Sequence, residues 1–179
     1  MPINDPRQIV ALSGIIAALF FSFSYVLIFT LYFPFTMPVI ESPIDKIVFF
    51  GQNSLFAALT LAGGLSAVTI RKMFQPGSLD GDPIMDGSRL DIHIRYTRDT
   101  AHHLIIFIVM LFNLVFLLEG VFLRLAPVLT SWFIFSRLYY WGAYLISPPH
   151  RIFGAVATLT PTIFFLWVIA LRIMGWPIF

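Results

Sequence analysis

The run IVALSGIIAALFFSFSYVLIFTLYF, residues 9–33, carries no charged side chain and breaks its apolar sequence only with hydroxyls and one glycine. It exceeds the roughly 20 residues that take an α-helix across a hydrocarbon core of about 30 Å. A segment in lipid must satisfy its own backbone hydrogen bonds, so a helix is the form expected of it. A secretory signal has a shorter apolar core and a small-residue cleavage site, and neither is evident here. The segment is therefore expected to stay in the mature chain.

Working outward, four more stretches read the same way, at residues 47–70, 90–123, 128–146 and 152–173. Of the 179 residues, 59% are hydrophobic and 11% are charged, whereas soluble domains run near 45–50% and 25%. The expectation is an all-α integral membrane bundle of five transmembrane helices, with the lipid bilayer as its main solvent. Pro34, Pro38 and Pro43 punctuate the first connection, and Pro148 and Pro149 the last. The polar stretch 71–98 contains Gln75-Pro76-Gly77-Ser78 and Asp86-Gly87-Ser88, which read as turns in a loop leading to the third helix. The pair Gly63-Gly64 would allow a close helix approach in the second crossing.

Several function classes drop out. The chain has no cysteine, so it offers no disulfide, thiolate nucleophile or sulfur-ligated metal. A net charge of +2 without a dense basic stripe excludes nucleic acid as a partner. With five crossings the termini lie on opposite sides. Arg7, Arg71, Lys72, Arg89, Arg95, Arg98 and Arg151 fall on the amino-terminal side, against Lys46, Arg124 and Arg172 on the other. The positive-inside rule then makes the amino terminus cytoplasmic.

Ionisable groups at membrane depth are costly and mark functional positions. Arg95, Asp99 and His102 stand at i, i+4 and i+7, on one face of the third helix, with Arg98 and His103 beside them. Arg137, Tyr140 and Tyr144 stand at i, i+3 and i+7 on the fourth, and Arg151 follows the proline pair. Both stripes approach the same leaflet, which gives a cationic pocket suited to an anion. Arginines at helix ends commonly snorkel to headgroups, and Arg71, Lys72, Arg89 and Arg98 read that way. Arg137 does not, because it lies about a turn and a half inside its apolar run and needs a buried partner. Asp99 and His103 at i, i+4, with His93, His102 and His150 nearby, raise a metal reading. They lack the His-x-x-x-His spacing, so no metal ligand is assigned.

The segment Ser136-Arg137-Leu138-Tyr139-Tyr140-Trp141-Gly142-Ala143-Tyr144, with Pro148-Pro149-His150-Arg151-Ile152-Phe153-Gly154 and Thr160-Pro161-Thr162 after it, resembles the bacterial signature of the MAPEG family, the membrane-associated proteins in eicosanoid and glutathione metabolism. Residues 90–103 resemble in part that family's Arg-x-x-x-Asn-Thr-x-Glu-Gln stretch. The resemblance implies a MAPEG-like four-helix domain over residues 46–179, an additional amino-terminal helix and loop over residues 1–45, and a bacterial inner membrane. It implies a homotrimer that holds glutathione between neighbouring subunits near the cytoplasmic face. Arg151 then takes the position of the arginine that stabilises the thiolate, and Arg95, Arg137, Tyr140 and Tyr144 fall on glutathione-contact positions. Asp99 stands where the family has asparagine, His102 where it has glutamate, and Ala143 where it has glycine. Two functions follow as expectations. One is a glutathione-dependent transferase or peroxidase acting on lipophilic electrophiles. The other is a catalytically inactive structural or accessory subunit of a larger membrane complex, built with other membrane-protein chains.

Overall fold

The computed structural model describes residues 6–32, 37–74 and 84–176, and these are helical with no strand among them. Five long helices follow in order: α1 (Pro6–Leu31), α2 (Pro43–Phe74), α3 (Arg89–Leu117), α4 (Leu125–Ile146) and α5 (Arg151–Ile173). Short 3-10 turns at Gly120–Arg124 and Pro148–His150 lead into α4 and α5. All five spans are long and apolar enough to cross a membrane.

Local chemistry sets the helix starts. Pro43 occupies the first position of α2, where its missing N–H costs nothing. Ser42 Oγ accepts from Asp45 N at 3.1 Å, and Asp45 Oδ2 accepts in return from Ser42 N at 2.9 Å. Ser88 caps α3 by accepting from Asp91 N at 3.2 Å, while Asp91 Oδ2 accepts from Gly87 N at 2.9 Å.

Two sequence boundaries are corrected. The third crossing does not run to residue 123: α3 ends at Leu117, Leu118 turns extended, and Gly120 takes φ +57°, a left-handed value that glycine adopts readily. The polar stretch 71–98 is not one loop either. Helix α2 continues through Phe74 and α3 begins at Arg89, because a charged side chain at the end of a long helix extends away from the apolar run without breaking the backbone ladder. The Gln75 to Ser78 turn lies outside the described residues, whereas Asp86 and Gly87 do form a turn.

The core is shared by α2 to α5. Phe107, Met110, Leu111, Leu114 and Val115 of α3 pack against Leu129 and Phe133 of α4, with the Phe107 and Phe133 rings 4.5 Å apart. Helix α1 sits outside that core and packs mainly on α5 and α4. Ala18 and Ser22 are its buried positions, and Phe20, Leu27 and Leu31 project outward.

Glycine sets how closely the helices approach. A Cβ on Gly154 would fall 2.7 Å from Ser136 O and Tyr140 N, so α5 crosses α4 backbone against backbone. A Cβ on Gly64, the second residue of the noted glycine pair, would meet the Tyr96 ring and Thr97 Oγ1 at 2.8 Å. Pro161 inside α5 supplies another tie, because its lack of an N–H frees the carbonyl four residues earlier. That carbonyl, Ala157 O, accepts from Trp132 Nε1 of α4 at 2.8 Å and from Ser22 Oγ of α1 at 3.3 Å. The proline defect thus holds three helices together.

Candidate functional site

Arg137 is wholly buried, with 0% of its surface exposed. An isolated guanidinium there would cost several kcal/mol, and each of its three nitrogens finds a neighbour. Nε donates to Thr158 Oγ1 at 3.0 Å, Nη2 donates to Gly154 O at 3.0 Å, and Nη1 lies 3.3 Å from His103 Nδ1. The guanidinium carbon stands 4.8 Å from the centre of the Tyr140 ring, a cation–π distance. Tyr140 in turn donates to Asp99 Oδ2 at 2.7 Å. A carboxylate acceptor makes that a strong bond.

His103 Nδ1 also lies 2.6 Å from Asp99 O. A carbonyl only accepts and an arginine only donates, so one nitrogen cannot serve both partners. The shorter contact assigns the Nδ1 hydrogen to Asp99 O and leaves the contact to Arg137 as packing.

The cluster connects to the helix ends through aromatic rings. Tyr140 and Tyr144 meet edge to face at 6.0 Å, and the Arg151 guanidinium stands 4.2 Å over the Tyr144 ring. Tyr96 stacks on Trp141 at 4.7 Å and donates to Thr60 O at 3.1 Å, while Trp141 Nε1 donates to His93 Nδ1 at 2.9 Å. Arg151 also lines an open cavity of about 650 Å³ between the start of α1 and residues 147–152.

The residues expected from sequence are therefore divided. Asp99, Arg137, Tyr140, Tyr144 and Arg151 are joined in one chain of contacts from α3 through α4 to α5. Arg95 binds its own surroundings, Asp91 Oδ1 at 2.8 Å and Asp86 Oδ1 at 2.9 Å. His102 is exposed, and the histidine that reaches Arg137 is its neighbour His103. Arg98 is largely exposed, 3.8 Å from Asp99 Oδ1. Among the described residues no three histidine and acidic groups gather as a metal site.

Sequence reasoning passed over Thr158 and the inward roles of Gly154 and His103. The available signals were His103 one turn after Asp99, and Gly154 and Thr158 at i, i+4 on the helix facing Arg137. No family model, no curated protein and no solved structure matches this chain.

Proposed function

We propose that the chain is a MAPEG-like membrane enzyme that binds glutathione and ionises its thiol for attack on a lipophilic electrophile, with Arg151 as the cation beside the sulfur. The observation that carries this reading is the position of Arg151. Its guanidinium is stacked on Tyr144 and lines an open cavity, while Arg137 is enclosed within the protein. A thiolate attacks where a thiol does not, and an adjacent guanidinium favours the thiolate. In this reading the protein is a homotrimer, and Tyr140, Tyr144 and Asp99 border the ligand.

The test is a titration of the detergent-solubilised protein with glutathione, followed by thiolate absorbance in the ultraviolet. The wild type should develop the thiolate band and Arg151→Ala should not. A wild type without the band removes the enzymatic reading.

A second reading is favoured by a specific feature: the donors of Arg137 and Arg95 are already engaged within the same chain. Cations used this way hold a scaffold together rather than wait for a ligand. On that reading the chain is an accessory subunit of a larger membrane assembly, and it should purify with other chains in fixed ratio and retain no glutathione.

A further inference from the structure

Helix α2 turns two different faces in opposite directions. Asn53, Ala57, Thr60 and Gly64 are buried, with the Tyr96 hydroxyl donating to Thr60 O and the Tyr96 ring closing on Gly64. On the far side Gln52, Leu55, Leu59, Ala62, Ser66 and Thr69 are all exposed. Their spacing alternates three and four residues, the repeat that keeps one seam of a helix against a partner in a left-handed crossing. Along that seam Ala62 and Ser66 are small residues at i, i+4, which lets a second backbone come close. The Ser66 hydroxyl donates to Ala62 O at 2.9 Å, so it needs no partner from outside.

Gln52 does need one. Helix α2 is long and apolar enough to cross a membrane, and Gln52 lies more than two turns in from Pro43. Asn53 of the same helix donates to Phe49 O at 2.8 Å, and Asn113 of α3 donates to Val109 O at 2.8 Å. The Gln52 amide is exposed and hydrogen-bonds to no described residue. In hydrocarbon such an amide forfeits its hydrogen bonds, whereas polar side chains of neighbouring spans hydrogen-bond across helices. The outward face of α1 at Phe20, Phe23 and Leu27 is apolar, and lipid suffices to cover it.

We infer that this face of α2 is where the chain meets a second copy of itself, α2 packed parallel to α2 with the Gln52 amides hydrogen-bonded across the seam. A primary amide carries both donors and an acceptor, so the same residue of another copy complements it. Copies inserted the same way bring their Gln52 residues to the same depth, and the small side chains of Ala62 and Ser66 then allow the two backbones to approach. The contact uses no residue of the Arg151 site. It identifies the helix through which copies of the proposed homotrimer meet, yet it holds whether or not glutathione binds.

The chain has no cysteine, so single thiols report the contact without background. Gln52→Cys, Leu59→Cys and, as an exposed control on α1, Phe20→Cys are reconstituted in phosphatidylcholine vesicles at decreasing protein density and oxidised with copper phenanthroline. The two α2 variants should give a disulfide-linked dimer that persists on dilution into lipid, and the Phe20 variant should not. Association of fluorescently labelled copies, read by energy transfer across the same dilution series, should weaken by about tenfold in Gln52→Leu and in Ala62→Phe. Should Ala62→Phe prove poorly folded, Gln52→Leu decides alone, because that side chain is exposed and bonds to no described residue. No dimer at Gln52→Cys, equal crosslinking at Phe20→Cys, or association of Gln52→Leu as tight as wild type overturns the inference. A protein that crosslinks through α2 but develops no thiolate band keeps this contact and loses the enzymatic reading. One that develops the band without the crosslink does the reverse.

Discussion

At Arg137 the cost of burying a charge is offset by bonds that run in different directions, to Thr158 Oγ1 and Gly154 O, and by the ring of Tyr140. Replacement by leucine would leave the carbonyl and hydroxyl without this donor, so Arg137→Leu should lower stability by about 2–4 kcal/mol in detergent unfolding experiments. Arg137→Lys should recover little of that, because an ammonium on a shorter reach cannot serve both oxygens and the ring together. Tyr140→Phe removes one bond to a carboxylate whose side chain is 33% exposed. Water can replace that donor, and the expected loss is only about 1 kcal/mol. An equal loss for Tyr140→Phe and Arg137→Leu would mean that the guanidinium contributes no more than the hydroxyl. On the enzymatic reading, Asp99→Asn keeps an oxygen for Tyr140 and removes a charge that repels anionic glutathione. It should tighten glutathione binding by about tenfold in calorimetry. Unchanged affinity would place Asp99 away from the bound anion.

Helix crossings in this protein are decided by which atoms a glycine meets. Gly154 faces the backbone of α4, which cannot move aside, whereas Gly64 faces the Tyr96 ring and the Thr97 hydroxyl, which can shift in part. Gly142 has nothing within 4 Å of an added Cβ. Thermal unfolding should therefore rank three substitutions: Gly154→Ala destabilising by about 3 kcal/mol, Gly64→Ala by about 1–2 kcal/mol, and Gly142→Ala neutral to stabilising by about 0.5 kcal/mol. Any other order would show that these contacts do not set the packing. The sequence made Gly64 visible as half of a glycine pair, but gave no sign that Gly154 faces α4, because the crossing is a tertiary fact. Pro161 was visible too. What could not be read was that its freed carbonyl, Ala157 O, is taken up by Trp132 from α4 and by Ser22 from α1, since periodicity within one helix does not report which neighbour comes to it. Helix spans were legible because each is a long apolar run, while the end of α3 was missed because Leu118 and Val121 to Leu123 carry the apolar run past Glu119 and Gly120.

Across the whole molecule, the charged residues sort by end. Arg7 and Arg151 border one cavity, so the start of α1 and the start of α5 lie together. Contacts of Asp99 with Tyr140 and of His93 with Trp141 bring the start of α3 to the end of α4 at that same end. Lys46 donates to Phe116 O and Leu118 O at the opposite end. The sequence-level count of basic residues on the two sides therefore corresponds to two real ends of the bundle, although which of them faces the cytoplasm is decided by insertion and not by folding. On the positive-inside rule the end with Arg7, Arg71, Lys72, Arg89, Arg95, Arg98 and Arg151 is expected to face the cytoplasm. The chain contains no cysteine, so a single introduced thiol reports its own position without background. Met85→Cys, ahead of α3 and 77% exposed, should react with a membrane-impermeant maleimide only after cells are broken. Glu119→Cys, between α3 and α4 and exposed, should react in intact cells once any outer barrier is permeabilised. The reverse pattern would invert the protein and move the Arg151 cavity to the outer face, out of reach of cytoplasmic glutathione. Labelling of both thiols in intact cells would argue against a single orientation.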